Sequence, residues 1–291
     1  MKLYEPSVIK DISNRYDFRL SRSLGQNFIT DGSVIDGIVV GAGITEEDLV
    51  IEIGPGIGVL TARAAASAGR VVAVEIDGKL IPVLKETLAG YDNIRIVNSD
   101  ILKTDIKGII EEEAARGFKG PVKIIGNLPY YITTPIIMKL LEEDVPAESI
   151  TVMMQKEVAD RIRSGPGSRA YGAISVAVQY YCSVEEIMKV SREVFIPRPK
   201  VDSAVLKLTV REKPSAEPAD KKAFFSCVRA AFGQRRKTLL NSLTGYLDLS
   251  KGEIGAVLDE AGIDSRRRAE TLSIEEFSRI SDRAVELAKN K

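Results

Sequence analysis

Four residues, Asn127-Leu128-Pro129-Tyr130, close the apolar run VKIIGN and carry the most specific chemistry in the chain. The exocyclic amine of a purine is a poor nucleophile, because its lone pair is delocalised into the ring. The side-chain oxygen of Asn127 and the carbonyl of Leu128 can accept its two N–H bonds. That favours a more tetrahedral nitrogen and aims its lone pair at an electrophilic carbon. Pro129 has no N–H to compete for those acceptors, and it stiffens the turn. Tyr130 offers a face on which an unstacked base can lie. An ordinary turn also tolerates N-x-P-Y, so its position in the fold decides between the two readings.

A second group, Glu52-Ile53-Gly54-Pro55-Gly56-Ile57-Gly58, lies between an apolar run and a helical pattern. Glycines there let the backbone turn tightly and approach a ligand with no Cβ in the way. The nicotinamide fingerprint is G-x-G-x-x-G. Here the third glycine comes one residue early, at Gly58, and Val59 takes the expected place. G-x-G-x-G with an acidic residue two before it is the form suited to S-adenosylmethionine, whose zwitterionic amino acid replaces a pyrophosphate. Glu75 ends the next apolar run and can accept both ribose hydroxyl hydrogen bonds, a device that nicotinamide sites share. Asp77 reads as a solvated acid at a helix start. Asp100 follows the third run, where it either hydrogen-bonds an adenine amino group or caps a turn. A sulfonium is a strong methyl donor, so such a site needs no histidine base. The chain contains no histidine, which excludes Ser-His-Asp and Cys-His triads and zincin-type sites.

The elements that must position these groups alternate. Short β-rich runs, LVIEIG (49–54), VVAVEI (71–76), IRIVN (94–98), VKIIGN (122–127) and ITVMMQ (150–155), are separated by helical stretches such as 59–68 and 134–143. Near-continuous apolar strands are buried on both faces of a parallel sheet. The pattern predicts a Rossmann-like α/β domain, whose ligand crevice lies at the carboxyl ends of the strands. Beyond Lys156 the rhythm changes. Residues 171–182 read as a helix, while 185–191 and 203–210 read as strands able to pair at the sheet edge across the Pro-rich link FIPRPK. The segment 211–222 reads as a linker, and the remainder as a small all-helical domain. The expected division is 1–212, with a flexible N-terminal segment, and 213–291. Cys182 and Cys227 fit no metal-ligand spacing and read as buried thiols in a reducing compartment, so no metal is expected. No apolar run is long enough for a membrane span and the start has no signal-peptide core, so a cytoplasmic location is expected.

Over residues 15–290 the chain resembles the 16S ribosomal RNA adenine N6,N6-dimethyltransferases (the KsgA/RsmA type). The strings that carry the likeness are SLGQNFITD (23–31), EIGPGIG (52–58), NLPYYITTP (127–135), MMQKEVADRI (153–162), FIPRPKVDSAV (195–205) and AFGQRRKTLLNSL (231–243). The resemblance implies that Gln26, Asn27 and the backbone of Ile29 close over the cofactor. Gly54 and Gly56 would meet its amino-acid end, Glu75 its ribose and Asp100 its adenine, with Glu52 also among the cofactor-binding residues. Asn127 to Tyr130 would hold the target base, and Phe195 would pack against that base from the other side unless it is a core aromatic. The implied substrate is a pair of adjacent adenosines near the 3′ end of 16S rRNA, within an immature 30S subunit; a monomer is expected, although the sequence does not fix the oligomeric state.

The 41 basic and 41 acidic residues cancel overall but not locally. Residues 31–150 carry 11 basic and 19 acidic, whereas 151–215 carry 11 and 7. A local basic face is all that RNA requires. Candidates are Lys156, Arg161, Arg163 and Arg169 around a Gly-rich loop, then Arg198 and Lys200. Two triplets follow, Arg235-Arg236-Lys237, read as lying on a helix, and Arg266-Arg267-Arg268. Each could equally be a solvated face or an interdomain buttress. Rival readings are an Erm-type dimethyltransferase of 23S rRNA, a non-catalytic ribosome assembly factor and a nicotinamide-dependent dehydrogenase. The 195–205 and 231–243 strings speak against the first, the intact cofactor and amine motifs against the second, and the glycine spacing against the third.

Overall fold

The structure, a computed structural model, describes residues 2–17 and 26–290. The strands are β1 (Phe28–Ile29), β2 (Leu49–Ile53), β3 (Arg70–Glu75), β4 (Ile94–Asn98), β5 (Val122–Asn127), β6 (Ser149–Gln155), β7 (Cys182–Val190), β8 (Phe195–Ile196) and β9 (Ser203–Val210). The helices are α1 (Pro6–Arg15), α2 (Gly32–Ala42), α3 (Val59–Ala65), α4 (Leu80–Thr87), α5 (Ile106–Ala115), α6 (Thr133–Glu142), α7 (Lys156–Arg163), α8 (Ala173–Tyr181), α9 (Lys221–Gly233), α10 (Leu239–Ser242), α11 (Lys251–Glu260) and α12 (Ile274–Lys289).

Seven strands form one sheet in the order β4-β3-β2-β5-β6-β9-β7. The pairs from β4 to β6 are parallel and β9 runs antiparallel to β6. The expected doubly wound sheet is therefore present, and the two late strands extend one side of it. Val50, Ile51, Val71, Val72 and Ile124 are fully buried, which is why the central strands read as unbroken apolar runs.

Two compact units divide the chain. One is Met1–Ala159 with Val184–Val210, and the other Asp160–Ser183 with Arg211–Lys291. The break differs from the one expected at 212, because residues 160–183 pack with the C-terminal helices. The reason is aromatic: Tyr180 and Tyr181 of α8 lie 5.2 and 5.7 Å, centroid to centroid, from Phe225 of α9, and Tyr171 lies 5.8 Å from Phe232. The helical unit is otherwise as expected. Its α12 opens with a reciprocal cap between Ser273 and Glu276.

The N-terminal segment also departs from expectation. Residues 6–15 are helical rather than flexible, with Ile9 and Ile12 buried against Leu3, Phe28, Ile57, Leu80 and Val83. The SLG part of the SLGQNFITD string lies outside the described residues. The Arg235-Arg236-Lys237 triplet is not helical, since α9 stops at Gly233 and the triplet occupies the turn before α10.

Candidate active site

Ile53 of β2 pairs with Val74 of β3 on one side and with Gly126 of β5 on the other. The residues one step further, Gly54, Glu75 and Asn127, therefore emerge side by side at the carboxyl edge of the sheet. All three line one cleft together with Gln26, Pro55 and Ile76.

The glycine loop is open where a ligand would lie. Gly54 and Gly56 have φ of 69° and 61°, a region in which a side chain is strained. A Cβ on Gly54 would meet no atom within 4 Å, whereas one on Gly56 would sit 2.8 Å from the Phe28 ring. Gly54 thus leaves room for a ligand, and Gly56 makes room for Phe28.

Glu75 is 3% exposed and rigidly held. Its Oε2 accepts from the Gly56 N–H at 3.1 Å and its Oε1 from the Asp77 N–H at 2.8 Å. Each oxygen keeps a lone pair, so the carboxylate still has acceptors for two ribose hydroxyls. Burial pushes its pKa up, and the Asp77 and Gly56 amides pull against that rise. Asp77 caps the next turn, accepting from the Lys79 N–H at 3.0 Å, as a helix-start acid should.

Glu52 is 1% exposed, and its Oε2 makes no hydrogen bond among the described residues. Burial pushes its pKa up to about 8, and the charge of Glu75 adds to the rise. A buried polar atom without a partner on a cleft wall is costly unless a ligand or solvent satisfies it.

Asn127 is oriented from the N-terminal side. Its Nδ2 donates to the Asn27 main-chain carbonyl at 2.9 Å. A carbonyl only accepts, so the amide nitrogen must point there and Oδ1 must face away. Leu128 is buried, and its N–H donates to the Met153 carbonyl at 3.1 Å. The hydroxyls of Tyr130 and Ser203 are 2.7 Å apart, which tethers a half-buried ring. Burial raises the Tyr130 pKa and the Ser203 hydrogen bond opposes that rise.

Sequence reasoning missed the way in which one short segment joins these motifs. Gln26 Nε2 donates to Asp77 Oδ2 at 3.3 Å, Asn27 holds Asn127, and Phe28 covers Gly56. Phe28 and Ile29 pair with Ile196 and Phe195, so FIPRPK anchors the segment. Ser203 and Ile76 were missed as well. Ile76, 51% exposed, did leave a signal, an apolar residue just past the strand-end acid.

Phe195 is a correction. At 2% exposure it packs in the core with Ile29, Val34 and Ile35 and presents no face to a base. Pairing between β1 and β8 draws the ring inward. Asp100 caps a turn through one oxygen, its Oδ1 accepting from the Leu102 N–H at 3.0 Å, which leaves Oδ2 without a role in that cap.

Among the basic candidates, Arg235 is a structural tie, its Nη2 donating to the Arg169 carbonyl at 2.6 Å. Arg267 pairs with Glu276 and Arg266 with Asp264. Arg198 pairs with Glu193. Arg161, Arg163, Lys200, Arg236 and Lys237 are exposed, and Lys156 is half-buried at the start of α7.

Residues 17–286 match the family described as ribosomal RNA adenine dimethylase. The chain belongs to that family. It is 53% identical over 281 residues, 97% of its own length and 96% of the relative's, to the ribosomal RNA small subunit methyltransferase A of Clostridioides difficile (strain 630). To the protein of the same name in Shouchella clausii (strain KSM-K16) it is 50% identical, with 95% and 94% of the two chains covered. A solved dimethyladenosine transferase from Plasmodium falciparum superposes with a TM-score of 0.73 at 26% identity, covering 87% of this chain and 95% of that one. The 23S rRNA methyltransferase ErmE does so with 0.65 at 30% identity, covering 88% and 98%. As a ribosomal RNA adenine dimethylase, the chain is an S-adenosylmethionine-dependent rRNA methyltransferase. The cleft suits that donor: open space lies before Gly54, Glu75 keeps two acceptors, and Glu52 offers an unpartnered oxygen.

Proposed function

We propose that the chain adds two methyl groups to N6 of each of two adjacent adenosines, in a loop near the 3′ end of 16S rRNA within an immature small subunit. The observation that carries the reading is the fixed Asn127 amide, its Oδ1 turned away from Asn27 at the mouth of the cleft that also holds Gly54 and Glu75.

S-adenosylmethionine supplies an electrophilic methyl when bound. Gly54 and Gly56 let the backbone approach its amino-acid end, Glu75 accepts from its ribose, and the free oxygen of Asp100 is available to its adenine. Gln26, Asn27 and the backbone of Ile29 close the near side. Asn127 Oδ1 and the Leu128 carbonyl would accept the two N–H bonds of the adenine amine and so free its lone pair for the methyl that the donor supplies. The amine nitrogen would be the attacking atom, and the proton it sheds once methylated would pass to water. For the second methyl only one N–H remains, so one of the two acceptors holds it. Tyr130, tethered through Ser203, stacks on the extruded base. A single-stranded loop suits this site because an unpaired base costs least to extrude.

The small-subunit substrate is favoured over 23S rRNA because relatives at about half identity carry the small-subunit name. Exposed Arg161, Arg163, Lys200, Arg236 and Lys237, with Lys156, supply phosphate contacts. The proposed site of action is the cytoplasm, where ribosomal RNA is, and the proposed state is a monomer. Among the described residues no helix is long and apolar enough to cross a membrane. The test is methyl transfer from labelled donor to unmethylated small subunits, with the nucleosides identified by mass spectrometry. N6,N6-dimethyladenosine at two neighbouring positions is expected. Modification of large-subunit RNA alone overturns the reading.

A further inference from the structure

The residue after Tyr130 is a second tyrosine, and it stands the opposite way. Tyr130 is half-buried and bonded to Ser203, whereas Tyr131 is 59% exposed. The turn that carries both is closed twice. The Ile132 N–H donates to the Pro129 carbonyl at 3.2 Å, and the Thr133 hydroxyl donates to the same oxygen at 3.0 Å. Thr133 opens α6 and is itself buried. The exposure of Tyr131 is therefore built into a fixed turn and does not come from a loose one. Ile76, Tyr91, Leu102 and Val201 are also exposed large apolar residues, but none of them shares a turn with the amine-binding tetrapeptide.

We propose that Tyr131 is a stacking platform for the nucleotide that flanks the adenosine held by Asn127, and so helps to set the affinity for RNA. The inference rests on the function proposed above. Extruding one base from a single strand leaves its neighbour with an uncovered π-face. A planar side chain held beside the extrusion point can cover that face for any base, which suits a contact that positions RNA without reading its sequence. Stacking of this kind changes binding by about 5- to 150-fold per base, and an exposed platform belongs at the low end.

The experiment compares Tyr131→Ala, Tyr131→Leu, Tyr131→Phe and Tyr131→Trp in full-length protein, with unmethylated small subunits as substrate. Donor affinity, measured by calorimetry, checks that the cleft is intact. The expected result is a KM for the subunit raised roughly 5-fold or more in Tyr131→Ala, with kcat within about twofold. Phe and Trp should restore the wild-type KM and Leu should not. An unchanged KM in Tyr131→Ala overturns the platform. Full restoration by Leu, or failure of Phe to restore, also overturns it, because the contact is then apolar burial or a hydroxyl bond. If Ala disturbs donor binding, the Leu and Phe pair decides on the same terms. Wild-type protein that methylates no subunit overturns the underlying function, and the platform with it. Methylation by wild type with an unaltered Ala variant overturns the platform alone.

Discussion

In the proposed reaction, Asn127 grips the amine only while its amide is held one way round. Asn127→Ala should lower methyl transfer by about 10²–10³-fold, the scale of losing one preorganised polar group, while donor affinity stays within about twofold. Single-turnover kinetics and calorimetry separate the two. Asn127→Asp should fail as well, since a carboxylate has no N–H for the Asn27 carbonyl. Glu52 makes a second residue-scale prediction. Its ordinary pKa of 4.5 rises to about 8 in the folded protein, so the folded state binds an extra proton between those values. Stability is then greatest below the lower value and falls as pH rises through the upper one. The Glu75 rise has the same sign. Glu52→Gln should flatten the dependence of Tm on pH in the donor-free protein and raise Tm near pH 9, at roughly 2–4 °C per kcal/mol. An equally steep curve in the variant would place the titration elsewhere. The types of Asn127, Glu75 and Glu52 were legible as chemistry from spacing alone. The carbonyl that orients Asn127 was not, because a main-chain oxygen 100 residues away leaves no residue-type signal.

Elements were read best where burial is one-sided or complete. The expected strands 122–127 and 203–210 coincide with β5 and β9. Helix α2 was missed because GSVIDGIVVGA is rich in glycine and β-branched residues, which are poor helix formers. Packing overrides propensity there. A Cβ on Gly37 would lie 1.9 Å from Met188, and one on Gly41 would lie 2.5 Å from Ile187, so the glycines allow the helix to lie close. Its last carbonyls meet two ammonium groups, Lys123 donating to Gly43 at 2.6 Å and Lys207 to Ala42 at 3.4 Å. Lys123 also pairs with buried Asp48 at 2.9 Å. Lys123→Met leaves that buried carboxylate with no counter-charge and only Thr45 as donor, and should cost about 3–5 kcal/mol in urea unfolding, and Asp48→Asn in the same chain should recover part of the loss. A change below about 1 kcal/mol would show the pair to be solvated. On the acid side, Glu113 ties β3 and β4 to α5 through Arg70 and Arg95. Burial raises its pKa, but the bonds from Arg95 and Arg70 outweigh that and leave it lowered. The stability it adds is present above the usual carboxylate range and lost as pH falls through its depressed value.

At the scale of the whole molecule, a change of rhythm after Lys156 was legible, but the break between units was expected at 212. The return of residues 160–183 to the helical unit was not legible, since that depends on aromatic contacts between segments distant in sequence. Charge counting located basic stretches but could not say which cations are already engaged. Arg235 holds a main-chain carbonyl, whereas Arg236 and Lys237 are exposed on the same turn. Arg236→Gln with Lys237→Gln should therefore flatten the salt dependence of subunit binding, by about 0.7–0.9 in the log–log slope for each phosphate no longer neutralised, while stability stays the same. Arg235→Gln should instead lower the Tm of the helical unit and leave the slope nearly unchanged. The opposite pattern would exchange their roles.

The Gln26–Ile29 segment touches Gly56, Asp77 and Asn127 at once, and the Asp77 N–H in turn donates to Glu75. On the function proposed above, donor affinity and amine alignment are therefore coupled through these four positions. Mutations there should show strong epistasis with both Glu75 and Asn127, although those two residues end different strands of the sheet. A selection for tighter donor binding alone would find its solutions elsewhere in the chain.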